Sequence, residues 1–381
     1  MRPAIVTGSS DLMANLPSMP GAVEQAETLG AELAVIAARG TPGRLNRPLV
    51  KALAQAGLFD RVFSPDGVTA AELCATRRGL ARSCPEAETA FAVQGLGSVP
   101  IHLFGTDEAK ERWLPGIRGG DLVAAFALTE PGAGSDAAAI RTRAEPDGDG
   151  WRITGEKVFI SNAPEADVAT VFARTSDQGP KGVSAFAVPM EDVEGEAIEL
   201  ISPHPIGRWV FDGTFVGRDQ LLGEVDAGFR VAMATLDLFR PSVGAAAVGM
   251  AEAALRIAVE HAREREAFGS PIGQFQGVSH QLADIRTGIE AAALLVESAA
   301  QAYDSGDRDS LTGRSAMAKL FATELAQRAV DTAIQVLGAR GLEEGSVLAH
   351  LYTEVRSLRI YEGTSEIQRN IIARELFRDR I

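Results

Sequence analysis

The feature that most constrains this chain is a double change of apolar period along its length. From about Pro20 to Gly120 apolar side chains recur every three to four residues, as in Val23, Ala26, Leu29, Leu33, Ile36 and Ala37, which turns one helix face toward a core. Beyond Val123 that period is lost. Val158-Phe159-Ile160, Val168 to Phe172 and Val183 to Val188 are rich in β-branched and aromatic residues between turn residues, the composition of strands. Trp151 to Lys157 reads as a strand leaving the tight turn Asp147-Gly148-Asp149-Gly150. From Ala227 the helical period returns in longer runs: one helix with Pro241 in its first turn, others over Val278 to Tyr303 and Ser315 to Leu337, and a fourth starting at Thr364. The expected fold is therefore mainly α with a central β domain. A helical N-terminal domain of four or five helices covers 1-122, a β-barrel-like middle domain 123-226, and a C-terminal four-helix bundle 227-381. At 381 residues the chain is too long for one hydrophobic core.

The formal charge of −14, with no run of five Lys or Arg, argues against a nucleic-acid partner. Cys74 and Cys84 make no disulfide framework, and without a CxxC or Cys/His cluster no metal site is expected. Met1 to Ser10 carries one basic side chain and too short an apolar run for a signal peptide, and no segment approaches ~18 consecutive apolar residues. A cytoplasmic protein with no membrane association is the expectation.

Two stretches stand out chemically. Phe126-Ala127-Leu128-Thr129-Glu130-Pro131-Gly132-Ala133-Gly134-Ser135-Asp136 exposes backbone N–H groups and a hydroxyl, which suits a phosphate or the edge of a polar ring, and equally suits a plain Gly-rich turn. The dinucleotide fingerprint G-x-G-x-x-G is missing, since Gly95-Leu96-Gly97 runs into Pro100. Near the C-terminus, Glu362 sits between Tyr361 and Gly363, just before a helix start at Thr364 with Glu366 in its first turn. Desolvation there would raise its pKa and suit a general base. Charged residues are mostly exposed, so a solvated loop carboxylate fits these residues too.

The stretch from Phe126, the strand Lys157-Val158-Phe159-Ile160-Ser161-Asn162, the run Glu264-Arg265-Glu266-Ala267-Phe268-Gly269 with Gln276, the run Gln335-Val336-Leu337-Gly338, and Tyr361-Glu362-Gly363-Thr364 together resemble the acyl-CoA dehydrogenase family in order and spacing. The resemblance runs from about Arg47 to the C-terminus. It implies FAD as cofactor. Phe126, Leu128 and Thr129 would lie along the flavin with Ser135 near the pyrophosphates; Phe159 would stack near the ring and Ser161 would hydrogen-bond it, where many relatives carry Trp and Thr. Arg265, Phe268, Gln276, Gln335, Val336 and Gly338 would grip the adenosine diphosphate end from a neighbouring subunit. Ala339 stands where relatives often have a second glycine. Thr364 and Glu366 would turn toward the flavin.

On the substrate side the resemblance implies Ser135, Asp237, Arg240, Tyr361 and Gly363, with Glu362 as the base. Some relatives carry their base at the position of Phe239, and a phenyl ring cannot take a proton. The implied reaction is α,β-dehydrogenation of an acyl thioester, acyl-CoA in fatty-acid metabolism, with an electron-transferring flavoprotein as acceptor and a homotetramer, a dimer of dimers, as the assembly. The departure at Arg61 to Gly67 leaves open an acyl group borne on an acyl carrier protein. A flavin oxidase or monooxygenase on the same fold is the other alternative.

Overall fold

The computed structural model describes residues 20–64 and 67–377, so Met1 to Ser10 and part of the Arg61 to Gly67 departure lie outside the described residues. Among the described residues six helices form the first layer: α1 (Pro20–Ala37), α2 (Arg47–Gln55), α3 (Leu58–Val62), α4 (Ala70–Ser83), α5 (Pro85–Phe104) and α6 (Asp107–Arg118). The sequence pattern missed α4 because its buried face carries Arg77 and Arg78, which blur an apolar stripe. Arg78 and Arg82 each approach Glu252 to 2.5 Å, so the charges that hide the helix also fasten it to its neighbour. At α6 the cap is Thr106, whose Oγ1 accepts from the Ala109 N–H at 3.1 Å. Asp107, which as a carboxylate before Glu108 could pass for the cap in the sequence, is the first helical residue.

The middle region is one eight-stranded mixed sheet in the order β6-β7-β3-β2-β4-β5-β8, with β1 pairing β4. The strands are β1 (Ala124–Ala127), β2 (Arg143–Asp147), β3 (Gly150–Ser161), β4 (Val168–Arg174), β5 (Val183–Pro189), β6 (Glu194–Ala197), β7 (Ile206–Gly217) and β8 (Leu221–Leu222). β1 runs parallel to β4, as β2 does at its single pairing, and the remaining ladders are antiparallel. β4 and β5 are buried at nearly every position, as strands covered on both faces must be. One cover is α5. A side-chain carbon at Gly97 would lie 2.7 Å from the Ala125 nitrogen, so only glycine lets this helix lie on β1.

The C-terminal layer holds α7 (Gly228–Glu264), α8 (Gln276–Asp304), α9 (Arg308–Leu337), α10 (Val347–Leu358) and α11 (Ser365–Leu376). A short hairpin, β9 (Glu266–Ala267) with β10 (Ser270–Pro271), links α7 to α8. Pro241 is not in the first turn of α7 as expected but well inside it. A proline deletes one N–H, and here the buried surroundings carry the helix through. Among the described residues α7 alone is long and apolar enough to cross a membrane, yet 83% of that stretch is buried inside the protein.

Candidate active site

α10 ends where the Ser357 carbonyl accepts from the N–H groups of Ile360 at 2.9 Å and Tyr361 at 3.2 Å. The next two residues turn left-handed, Glu362 at φ 53° and Gly363 at φ 96°. For glutamate that conformation is strained, and it persists only where the surroundings over-determine it. Here three side chains converge on two successive carbonyls. Arg240 Nε donates to the Glu362 carbonyl at 3.3 Å, Lys319 Nζ to that of Gly363 at 2.7 Å, and Gln368 Nε2 to both, at 3.2 and 2.9 Å. Lys319 and Gln368 are completely buried. Thr364 then caps α11, its Oγ1 accepting from the Ile367 N–H at 3.4 Å, while Glu366 points outward beside Arg369.

Glu362 is half-buried, and its Oε2 is hidden from solvent without a hydrogen-bond partner. Burial raises its pKa above the usual carboxylate value, against the opposing pull of Arg77, Arg240 and Lys319 and with a push from Glu88. Arg77 is itself held by Glu88 at 2.5 Å and by Ser242 Oγ at 2.7 Å. Arg240 reaches Asp237 at 3.5 Å, and burial raises the Asp237 pKa despite Arg240 and Arg308. Tyr361 keeps part of its surface exposed, while burial and then Glu88 push its phenol well up. Tyr361, Glu362, Gly363, Asp237 and Arg240 thus meet in one place. Phe239 is buried and lies against Gly95, where an added side-chain carbon would be 3.0 Å from its ring. Sequence reasoning missed Arg77, Glu88, Lys319 and Gln368; a lone lysine beside the apolar stripe of α9 was the available signal.

The β-domain residues form a second group. Val158 N–H donates to the Thr129 carbonyl at 3.0 Å. Buried Lys157 reaches the Leu128 carbonyl at 3.0 Å and Glu130 at 2.8 Å, which pins residues 128–130 to β3. Phe126 packs 4.9 Å from Phe172. β3 shifts register between Lys157 and Ile160, and Phe159 stands there at φ 56° and 56% exposed. Ser161 closes the strand, half-buried, and Ser135 is exposed beside Gly132 and Gly134, which face open space. A large aromatic held in strained backbone yet left uncovered fits a flat ring laid against it, so the residues present suit a flavin.

The third group lies elsewhere. Arg265 caps α7, Gln276 opens α8, and Gln335, Val336 and Gly338 end α9. Phe268, at φ 52° and 99% exposed, contacts Phe275 edge-on at 6.2 Å. Arg340, absent from the sequence reading, joins them: burial, then Arg340 and Arg265, lower the pKa of His261. Arg240 and Arg265 are 25 residues apart along one helix (265 − 240), which is roughly 37 Å at 1.5 Å per residue.

The chain thus combines a helix–sheet–helix architecture with a carboxylate held in a strained turn and an uncovered aromatic shelf, and sequence comparison identifies the class of oxidoreductase it belongs to. The acyl-CoA dehydrogenase N-terminal, middle and C-terminal domains match residues 26–121, 125–209 and 226–377. Cyclohexane-1-carbonyl-CoA dehydrogenase of Geobacter metallireducens is 36% identical over 348 residues, spanning 88% of this chain and 91% of the relative. The structure of butyryl-CoA dehydrogenase from Megasphaera elsdenii superimposes with a TM-score of 0.87 at 30% identity, covering 95% and 99% of the two chains. A FAD complex of PigA superimposes with a TM-score of 0.86 at 28% identity, covering 93% and 96%. The chain belongs to the acyl-CoA dehydrogenase family and is an acyl-CoA dehydrogenase-type flavin oxidoreductase.

Proposed function

We propose that the protein binds FAD and removes hydrogen across the Cα–Cβ bond of an acyl-CoA, with Glu362 as the base that takes the α-proton. The observation that carries this reading is the solvent-hidden, unpartnered Oε2 of Glu362, with the proton affinity of the carboxylate raised by burial, as a base working near neutral pH requires. Phe239 stands at the position of the rival base and cannot accept a proton. The bound flavin supplies the acceptor for the β-hydrogen and its electron pair. Arg240 and Lys319 hold the turn that presents Glu362. The Glu362 N–H is the protein donor for the thioester carbonyl, a kind of contribution that runs to ~3–4 kcal/mol.

Arg265 and Arg340 suit the pyrophosphate of FAD, since guanidinium groups donate paired hydrogen bonds. Because Arg265 lies roughly 37 Å along α7 from Arg240, the second chain of a homo-oligomer is the proposed source of that grip. Electron-transferring flavoprotein is the proposed reoxidant and the cytoplasm the proposed location. The test is anaerobic addition of acyl-CoA esters to the FAD-loaded protein and to Glu362→Gln, with bound FAD checked by its visible spectrum. The wild type bleaches and the variant does not; bleaching of Glu362→Gln at the wild-type rate refutes the assignment.

A further inference from the structure

Lys319 is one of five lysines in the chain, with Lys51, Lys110, Lys157 and Lys181. It lies in the middle of α9 with no exposed surface. A buried ammonium is costly unless something on the protein needs it. Its hydrogen bond goes not to a carboxylate but to the Gly363 carbonyl, 2.7 Å away, one residue beyond the proposed base. That carbonyl belongs to the left-handed pair Glu362–Gly363, whose other anchors, Arg240 and Gln368, hold the Glu362 carbonyl. We propose that Lys319 is a positioning residue for the base: its ammonium locks the strained turn through Gly363 and, by its charge, holds Glu362 in its proton-accepting form. This rests on the reading of Glu362 as the base.

The surroundings of both groups set the sign. Glu362 faces Arg77 from α4, Glu88 from α5, Arg240 from α7 and Lys319 from α9. Lys319 faces Glu362, Arg240, Glu324 and Glu366. Burial lowers the Lys319 pKa to about 8, with Glu362 the strongest influence raising it again. Coupling between two charges is reciprocal. Removing the Glu362 anion must therefore lower the lysine's pKa, and removing the lysine's charge must raise that of Glu362.

Two measurements test this on the FAD-loaded protein. In protein labelled with [13Cε]lysine, the resonance that disappears in Lys319→Arg is that of Lys319. Its titration midpoint should fall by about one pH unit in Glu362→Gln, the size expected of one nearby opposite charge. Lys157, whose partner is Glu130, serves as the control and should not move. An unmoved Lys319 midpoint overturns the proposal, and this arm needs neither turnover nor a Lys319→Gln protein that folds. In the second arm the acid limb of the anaerobic bleaching rate should move up by about one pH unit in Lys319→Gln and stay in place in Lys319→Arg, which keeps the charge. Coincident limbs for Gln and Arg also overturn it, since packing alone would treat both alike. If wild-type protein is bleached by no acyl thioester, the proposed reaction fails, and the lysine titration still decides whether the two groups are coupled.

Discussion

Arg77→Met should be among the most damaging single changes outside the reacting groups themselves. The guanidinium is 2% exposed and its partner Glu88 1%, with Nε 2.5 Å from the carboxylate and Nη1 2.7 Å from Ser242 Oγ. Ser242 in turn donates to the Phe239 carbonyl at 2.6 Å. Methionine fills much of the space but strands Glu88 as an uncompensated buried charge, which costs ~3–5 kcal/mol. For a chain of 381 residues, whose unfolding entropy is roughly 0.8 kcal/mol/K, that is about 4–6 °C of melting temperature. The assay is a thermal melt at fixed protein and FAD concentration, because bound cofactor adds its own stabilisation. Arg77→Met/Glu88→Met should recover most of the loss, since removing both members of a buried pair is often close to neutral. A loss below about 1 kcal/mol in the single variant, or a double variant as damaged as the two singles added together, would refute the reasoning. The same variant has a chemical signature. Arg77 is the foremost of the cations opposing the rise in the Glu362 pKa, so its loss should push the acid limb of flavin reduction to higher pH.

Two further outcomes follow from the turn at Glu362. Gly363→Ala places a carbon 2.7 Å from Gln368 Nε2 in a backbone at φ 96°; we expect a loss of ~1–3 kcal/mol and a flavin reduction rate that falls further than the melting point alone explains, read by stopped-flow. Glu362→Gln should be more stable than wild type at alkaline pH. A carboxyl whose folded pKa is raised above its unfolded value of 4.5 loses stability as pH climbs from the unfolded toward the folded pKa, and the loss persists above it. Melts of the two proteins should therefore converge near about pH 4 and separate by about pH 8, with the variant higher; a wild type that gains on the variant with rising pH would contradict this.

The layers of this fold were legible because a change from helical to strand period is written at every buried position, and helix ends such as Thr364 carry their own caps. What stayed hidden was polar. α4 escaped because Arg77 and Arg78 lie on its buried face, and pattern reading assigns charge to solvent. Pro241 suggested a helix start because one missing N–H looks like a boundary, whereas α7 runs through it with its neighbours packed around. At the site, Glu362 could be singled out through its motif, but its left-handed backbone could not, and neither could Lys319, Gln368 and Arg240 meeting on two adjacent carbonyls from helices far apart in sequence. Convergence of that kind depends on the tertiary packing of α7, α9 and α11, which no local period encodes.

That packing also determines how many chains one site needs. Arg240, beside Glu362, lies well inside α7, and Arg265, beside Arg340 and Phe268, caps its C-terminal end roughly 37 Å away; a rigid buried helix does not fold back to join them. If one chain gives the base and another the pyrophosphate grip, two inactive variants should complement each other. Glu362→Gln lacks the base but keeps Arg265, and Arg265→Ala keeps the base but lacks the grip. In a mixed pair one of the two sites combines intact Glu362 with intact Arg265 and the other combines both defects. With random pairing at equal expression half the pairs are mixed, so co-expressed variants should regain about a quarter of wild-type activity, while separately purified proteins mixed without subunit exchange stay inactive. Should co-expression restore nothing while both variants fold and assemble, each chain holds its cofactor alone, and Arg265 has no part in another chain's site.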